Sequence, residues 1–238
     1  MQSQEDQTSE HPFDNREEEY RGESTVSSES AGEYLKPYEE ALEMHGPSFE
    51  ATLWVNRETQ IQRFDIIADM LDPTGLRLLD AGCARGELLH RLVEVNRIPK
   101  CYIGLDAFAD FIHAAHELHP EKGCDVILET ADFVRDPTVF KRFSPDVIVF
   151  SGSLNTLTQE QALSVVGKAF KAAEKGVVFN FLSDRHHPRF DKQDTGPARR
   201  FSATEVVAWA LEQTPCVRFR QDYFDGHDAT VCLKHMKK

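Results

Sequence analysis

The sequence predicts an α/β fold: a doubly wound, mostly parallel sheet of seven strands, with helices on both faces and an antiparallel hairpin at the C-terminal edge. Three observations carry that reading. Short apolar runs alternate with segments of helical periodicity from residue 76 onward. The first run, 76–81, lacks the every-second-residue polarity of a half-exposed strand and reads as a strand buried on both faces. The last two runs have no helix between them, so they must pair antiparallel.

Taken in order, residues 1 to about 30 are polar and acidic and end in STVSSESAGE. Such a stretch cannot bury enough apolar surface to offset its ordering entropy, so a disordered tail is expected, either solubilising or partner-binding. Residues 31–75 read as a helical cap segment. Within it Ile61, Phe64, Ile67 and Leu71 recur at spacings of three and four, and Pro73 and Gly75 stop the helix. The main domain is expected over 76–238. After the strand at 76–81, residues 86–95 place Leu88, Leu89, Leu92 and Val93 on one helical face. A second strand covers 101–106, and Phe108, Phe111, Ala115 and Leu118 mark the next helix. Strands follow at 124–128 and 146–150. Thr158 with Gln161 is a capping-box pattern opening a helix whose stripe is Ala162, Val165, Val166, Ala169, Phe170 and Ala173. Gly176 suits its C-terminal cap. A fifth strand spans 177–182. Ser202 and Glu205 cap a helix through Leu211, and strands at 217–224 and 230–234 flank a turn at 225–228.

Charge and composition remove several function classes. Net charge is -13 over 238 residues, but residues 1–50 hold 14 acidic and 3 basic side chains. Residues 51–238 hold 26 and 24, so the body is nearly neutral. Nucleic-acid binding needs clustered Lys and Arg, which are missing, so no nucleic-acid partner is expected. No apolar run reaches 18 residues, so no membrane partner is expected either. The polar N-terminus has no apolar signal region, and five scattered cysteines make no disulfide framework or zinc ribbon. Both features point to the reducing cytoplasm.

Ligands in such sheets sit beyond the carboxyl ends of the strands, where strand order reverses. After the first strand stands Asp80-Ala81-Gly82-Cys83-Ala84-Arg85-Gly86. Its two glycines allow a tight turn and close backbone approach to a ligand, although many strand-to-helix turns are purely structural. Asp106, at the tip of the second strand, lies 20 residues past Gly86, the spacing expected for ribose recognition. It also suits a helix N-cap ahead of Ala107. After the third strand, Ala131-Asp132-Phe133 offers a carboxylate for an exocyclic amine and a ring for a base face, or simply a loop Asp and a core Phe. After the fourth, Ser151-Gly152-Ser153-Leu154-Asn155 provides a close backbone path.

Asp80-x-Gly82-x-x-x-Gly86, Asp106, Ala131-Asp132-Phe133 and the fourth strand at 146–150, in order and spacing, resemble the class I S-adenosylmethionine-dependent methyltransferases over roughly residues 55–238. The terminal hairpin fits that family's Rossmann-like sheet better than a dehydrogenase's. The resemblance implies that Asp80, Gly82, Cys83, Ala84 and Gly86 line the methionine half of S-adenosyl-L-methionine, with S-adenosyl-L-homocysteine as product. It implies Asp106 and Ala107 at the ribose, Asp132 at the adenine amine with Ala131 and Phe133 beside it, and Ser151 near the sulfonium by backbone contact. The Asn/Asp-Pro-Pro-aromatic motif of base and glutamine methylation is absent at Ser151–Leu154, so a small-molecule acceptor is expected. An NAD-type oxidoreductase is the alternative, but its Gly-x-Gly-x-x-Gly is missing. A non-catalytic S-adenosylmethionine-binding protein is a further alternative.

Candidates for the acceptor side come from the same sheet edge. Asn155 can donate and accept, which suits orienting a polar acceptor, or it caps a local turn. His186, after the fifth strand, is a candidate general base or part of a polar loop. Tyr34, Tyr38 and Phe49 are candidates for a lid. Arg63 could pair the methionine carboxylate or make a surface ion pair. Cys83 is either a thiol nucleophile or a small packing residue. His113, His116 and His119 recur every third residue, but they spread over a third of the helix and read as a solvated flank, so no metal is expected.

Overall fold

The computed structural model describes residues 32–118 and 123–236. The expected tail over 1–30 and His119 lie outside the described residues. α1 (Lys36–His45) carries Pro37 in its first turn, where a missing N–H costs nothing, and stops at Gly46. A single 3-10 turn, Glu50–Thr52, leads to α2 (Arg57–Met70), whose first turn is capped by the Asn56 side-chain Oδ1 accepting from the Thr59 N–H at 2.9 Å. Phe64, Ile67 and Leu71 are buried as the spacing predicts, but Ile61 is 38% exposed. The buried face of α2 is turned towards Gln60 and Arg63 instead, because Arg63 has a buried carboxylate to meet.

The strand–helix alternation continues as β1 (Arg77–Ala81), α3 (Glu87–Glu94), β2 (Cys101–Asp106), α4 (Ala109–Leu118), β3 (Asp125–Thr130), α5 (Val139–Arg142) and β4 (Val147–Phe150). It closes with α6 (Gln159–Ala172), β5 (Gly176–Ser183), β6 (Arg200–Phe201), α7 (Ala203–Gln213), β7 (Val217–Arg220) and β8 (Asp228–Lys234). The strand order is β3-β2-β1-β4-β5-β8-β7. β1 to β5 run parallel, and β8 is antiparallel to both β5 and β7. Two-residue β6 adds an eighth strand, parallel to β5 at Leu182 and Ser183. It pairs beyond the point where β4 stops, so it prolongs the β4 column at the carboxyl edge.

Two local expectations are corrected. Gly176 does not cap α6, whose capping position is Ala173; it opens β5, where a Cβ would run into the backbone of Leu233. The strand expected over 217–224 stops at Arg220, because Tyr223 turns in to bond Thr230 and the chain coils through residues 224–226. The capping box at Thr158 and Gln161 forms as its spacing predicts.

Each sheet face has its own core. Leu79, Ile103, Phe150, Phe179 and Phe181 pack under α5, α6 and α7. Leu78, Tyr102, Val149, Val178 and Cys232 pack under α2, α3 and α4. Phe133, Phe140 and Phe150 stand 5.7 to 5.9 Å apart, centroid to centroid, in tilted and edge-on pairs. Such pairs add about 0.5–1.5 kcal/mol each beyond their burial. They pin the loops after β3 and β4 to the sheet, and so fix the walls of the site described next.

Candidate active site

A cleft of about 950 Å³, counting its open mouth, lies at the carboxyl edge of the sheet where β1 and β4 diverge. Its floor is the turn after β1. Gly82 takes a φ of 82°, and a Cβ there would overlap the Cβ of Ser153, so only glycine fits both the conformation and the approach. The N–H groups of Gly82 and Cys83 both donate to the Leu105 carbonyl, at 2.8 and 2.9 Å, which ties the turn to β2. Gly86 takes the N-cap position ahead of α3 at φ 81° and does not reach the cleft wall. Asp80 does not reach it either. Its carboxylate is buried beneath the turn, where it accepts from the Tyr102 hydroxyl at 2.6 Å; burial raises its pKa to about 7. The Cys83 side chain packs in the core under α3, so only its backbone belongs to the turn.

Asp106 faces the cleft with 7% of its surface exposed. It accepts from the N–H groups of Ala84 at 2.9 Å and Phe108 at 3.0 Å. Burial raises its pKa to about 6, against the pull of those hydrogen bonds. Ala107 lies beside it on the wall, while Ala131 stands behind, its N–H bound to the Asp106 carbonyl. Asp132 and Phe133 line the cleft further along. Tyr34 donates to the Asp132 carboxylate, with 2.7 and 2.6 Å to its two oxygens. Tyr38, one turn further along, leans over Asp106, and burial with that neighbouring charge pushes its hydroxyl up to about 12. The α1 segment is therefore a roof, as its tyrosines suggest.

The opposite end is walled by Trp54, Gly152, Ser153, Asn155, Thr156, Thr195, Pro197 and Ala198. Gly152 again needs its hydrogen, because a Cβ would stand 2.7 Å from the Trp54 ring. Asn155 faces the cleft, and its Oδ1 is buried without a partner among the described residues. The backbone of the connection before β6 is held to it, since the Arg199 N–H donates to the Asn155 carbonyl at 2.7 Å.

Ser151 is not among the residues that line the cleft, whereas its neighbours Gly152 and Ser153 are, Ser153 bonded to the Ala81 carbonyl at 2.6 Å. Two other sequence candidates take other places. His186 stays off the wall, within 3.7 Å of Asp191 and edge-on to Phe190. Its loop reaches the cleft with Thr195, Pro197 and Ala198 instead; the Thr-Gly-Pro turn there was the readable signal. Arg63 forms a buried two-bond pair with Asp228, stacked between Trp54 and Phe224. That engagement displaces the expected role at a methionine carboxylate. Asn180 joins the site from inside the apolar run Val-Val-Phe-Asn-Phe-Leu, where a lone polar residue is the signal for it; its Oδ1 accepts from the Gly152 N–H at 2.8 Å. Among the described residues, no three His, Cys, Asp or Glu side chains gather as a metal site. No described helix is long and apolar enough to cross a membrane.

The fold is shared with solved methyltransferases of low sequence identity. Magnesium protoporphyrin IX methyltransferase from Synechocystis PCC 6803, with bound S-adenosylhomocysteine, matches with a TM-score of 0.56 at 12% identity, over 75% of this chain and 83% of that one. A SAM-dependent methyltransferase from Archaeoglobus fulgidus matches at 0.58 and 14%, over 76% and 95%. The small RNA methyltransferase HEN1 matches at 0.59 and 14%, over 74% of this chain and 25% of that one. No curated protein matches the sequence. The family model described as a methyltransferase domain matches residues 72–207, more than half of the chain. The chain belongs to that family, the class I S-adenosylmethionine-dependent methyltransferases.

Proposed function

We propose that the protein transfers a methyl group from S-adenosylmethionine to a small-molecule acceptor. The observation that carries this reading is Asp106, a buried carboxylate held by two backbone N–H groups beside a turn that only glycine can make. Its remaining lone pairs face the cleft and suit the two ribose hydroxyls. The residues fit the cofactor elsewhere too. Asp132 would accept from the adenine amine beside Phe133, with Tyr34 yielding one of its contacts. The backbone of Gly82 and Ala84 would follow the methionine half.

The bound cofactor supplies an electrophilic methyl on a sulfonium. The chain's task is then to align an acceptor and exclude water. Trp54, Asn155 and the Thr195–Ala198 turn surround the acceptor end, and α1 covers the top. Asn155 is the group to orient the acceptor, through an amide oxygen with no partner among the described residues. The enclosed cleft and the nearly neutral body favour a small acceptor over a polyanion. Residues 31–75 serve as a cap in their first half, while α2 belongs to the core of the main domain at 76–238.

The test is calorimetric titration with S-adenosylhomocysteine and, separately, with NAD, followed by a methyl-transfer screen. S-adenosylhomocysteine binding with no NAD binding is the expected result. NAD binding alone would replace this reading with an oxidoreductase, and binding without turnover on any acceptor would leave a cofactor-binding protein.

A further inference from the structure

Asn180 and Leu182 alternate along β5 with the core residues Phe179 and Phe181, so both point to the α2 face. Leu182 lies opposite Arg200 of β6 on one side and Asp228 of β8 on the other. β4 pairs with β5 up to Phe150 and Phe179, which sets Ser151 beside Asn180. Adjacent strands are about 4.8 Å apart and same-face neighbours about 7 Å, so Ser151, Asn180, Arg200 and Asp228 form one polar patch. Arg63 comes down on it from α2.

Four polar atoms of this patch find no partner among the described residues. Arg63 Nη1, Arg200 Nη2, Asn180 Nδ2 and Ser151 Oγ are buried with no hydrogen-bond partner among the described residues. Arg63 is 8% exposed and Asn180 1%. The first three are obligate donors, and the Gly152 N–H on Asn180 Oδ1 fixes which end of the amide is free. Asp228 is fully engaged by Arg63, at 2.9 Å to Nη2, and by His227 Nδ1 at 2.7 Å. Arg200 donates to the Ser183 carbonyl at 2.8 Å and is in contact with no carboxylate among the described residues; the field of Asp228, already shared with Arg63, reaches it first, and that of Asp191, exposed beside His186, second. The patch therefore has one positive charge in excess and three donors with no partner among the described residues. Leaving such groups unmade is costly, so water or a ligand must meet them, and the excess charge selects an anion.

We propose that this patch is a carboxylate-binding subsite at the acceptor end of the cleft, so that the methyl acceptor is a small carboxylic acid. The inference rests on the methyl-transfer reading. One negative charge with two coplanar oxygens matches one uncompensated guanidinium and planar donors, whereas a phosphate dianion exceeds that charge. The patch lies directly behind the cleft wall. Trp54 forms that wall and stacks on Arg63 at 4.7 Å, and Ala198 precedes Arg200 by two residues. The acceptor's carboxylate reaches the guanidinium groups by displacing the Trp54 indole.

The test follows thermal unfolding of the full chain saturated with S-adenosylhomocysteine, titrated with acetate, inorganic phosphate or chloride at matched ionic strength. Acetate is expected to raise the midpoint saturably above chloride in the parent, and to lose that effect in an Arg200→Met variant that still binds S-adenosylhomocysteine. Acetate acting no better than chloride on the parent overturns the subsite without need of any variant. An equal acetate effect in Arg200→Met, or stabilisation by phosphate alone, overturns it as well. If S-adenosylhomocysteine itself does not bind, the cofactor reading fails, and that result is distinct from a missing acetate effect.

Discussion

The two ends of the cleft differ in how far the protein satisfies itself. At the Asp106 end, each carboxylate already has donors: Ala84 and Phe108 on Asp106, Tyr34 and the N–H groups of Val134 and Arg135 on Asp132. At the Trp54 end, Asn155, Asn180, Ser151, Arg63 and Arg200 each keep a buried polar atom with no partner among the described residues. The first end is preorganised by backbone N–H groups of adjoining loops and by one tyrosine hydroxyl from the roof. The second is built from strands and a helix distant in sequence, and its unmade bonds mark where a ligand completes it.

The largest effect that sharpens this comparison is on stability. Arg63→Met leaves Asp228 charged, buried and held by His227 alone. Removing one partner of such a pair costs about 3–5 kcal/mol, read from a urea unfolding curve near pH 7. A loss under about 1 kcal/mol would show that the pair does not hold α2 to β8.

At the other end Asp106→Ala should weaken S-adenosylhomocysteine binding at least tenfold, the loss of about 1.5–3 kcal/mol from a charged acceptor. Calorimetry that finds unchanged affinity removes the ribose assignment.

The two ends should also differ in pH dependence. Burial holds Asp106 at about 6 and Asp80 at about 7, above an unfolded carboxylate. Between about pH 4 and those values the native state binds more protons than the unfolded chain, so these two groups lower stability as pH rises. Asp228, held below the ordinary range by His227 and Arg63 in spite of burial, has the opposite sign; its contribution is present above the unfolded pKa and is lost as pH falls through its own. Ligand binding needs ionised Asp106. The dissociation constant of S-adenosylhomocysteine should therefore worsen by up to about tenfold per pH unit below 6 and level off above 7. The same slope in Asp106→Asn would assign it to another group.

The smallest expected effect on binding comes from Asn155→Ala. Cofactor affinity should stay within about threefold while turnover falls, because an orienting group acts on the acceptor and not on the adenosine. A cofactor affinity lost with turnover would move Asn155 to the other end of the comparison.

By itself the sequence determined the sheet, its terminal hairpin and the cofactor-side segments. Those signals are local: apolar runs, glycines at a strand-to-helix turn, a carboxylate at a strand tip, and a capping box closed within four residues. Each is a short-range consequence of backbone geometry, so spacing alone reveals it. Tertiary structure decided the rest. Arg63 reads as a helix-surface residue until Asp228, 165 positions away, turns the helix towards it. Of Ser151 and Ser153 only the second lines the cleft, and Asp80 and Asp106 both end strands but only one reaches it. β6 exists because β4 ends early and leaves the edge of β5 open for two residues. The patch around Asn180 is assembled from five segments by sheet register, and pairing across strands is long-range information that no window of sequence contains.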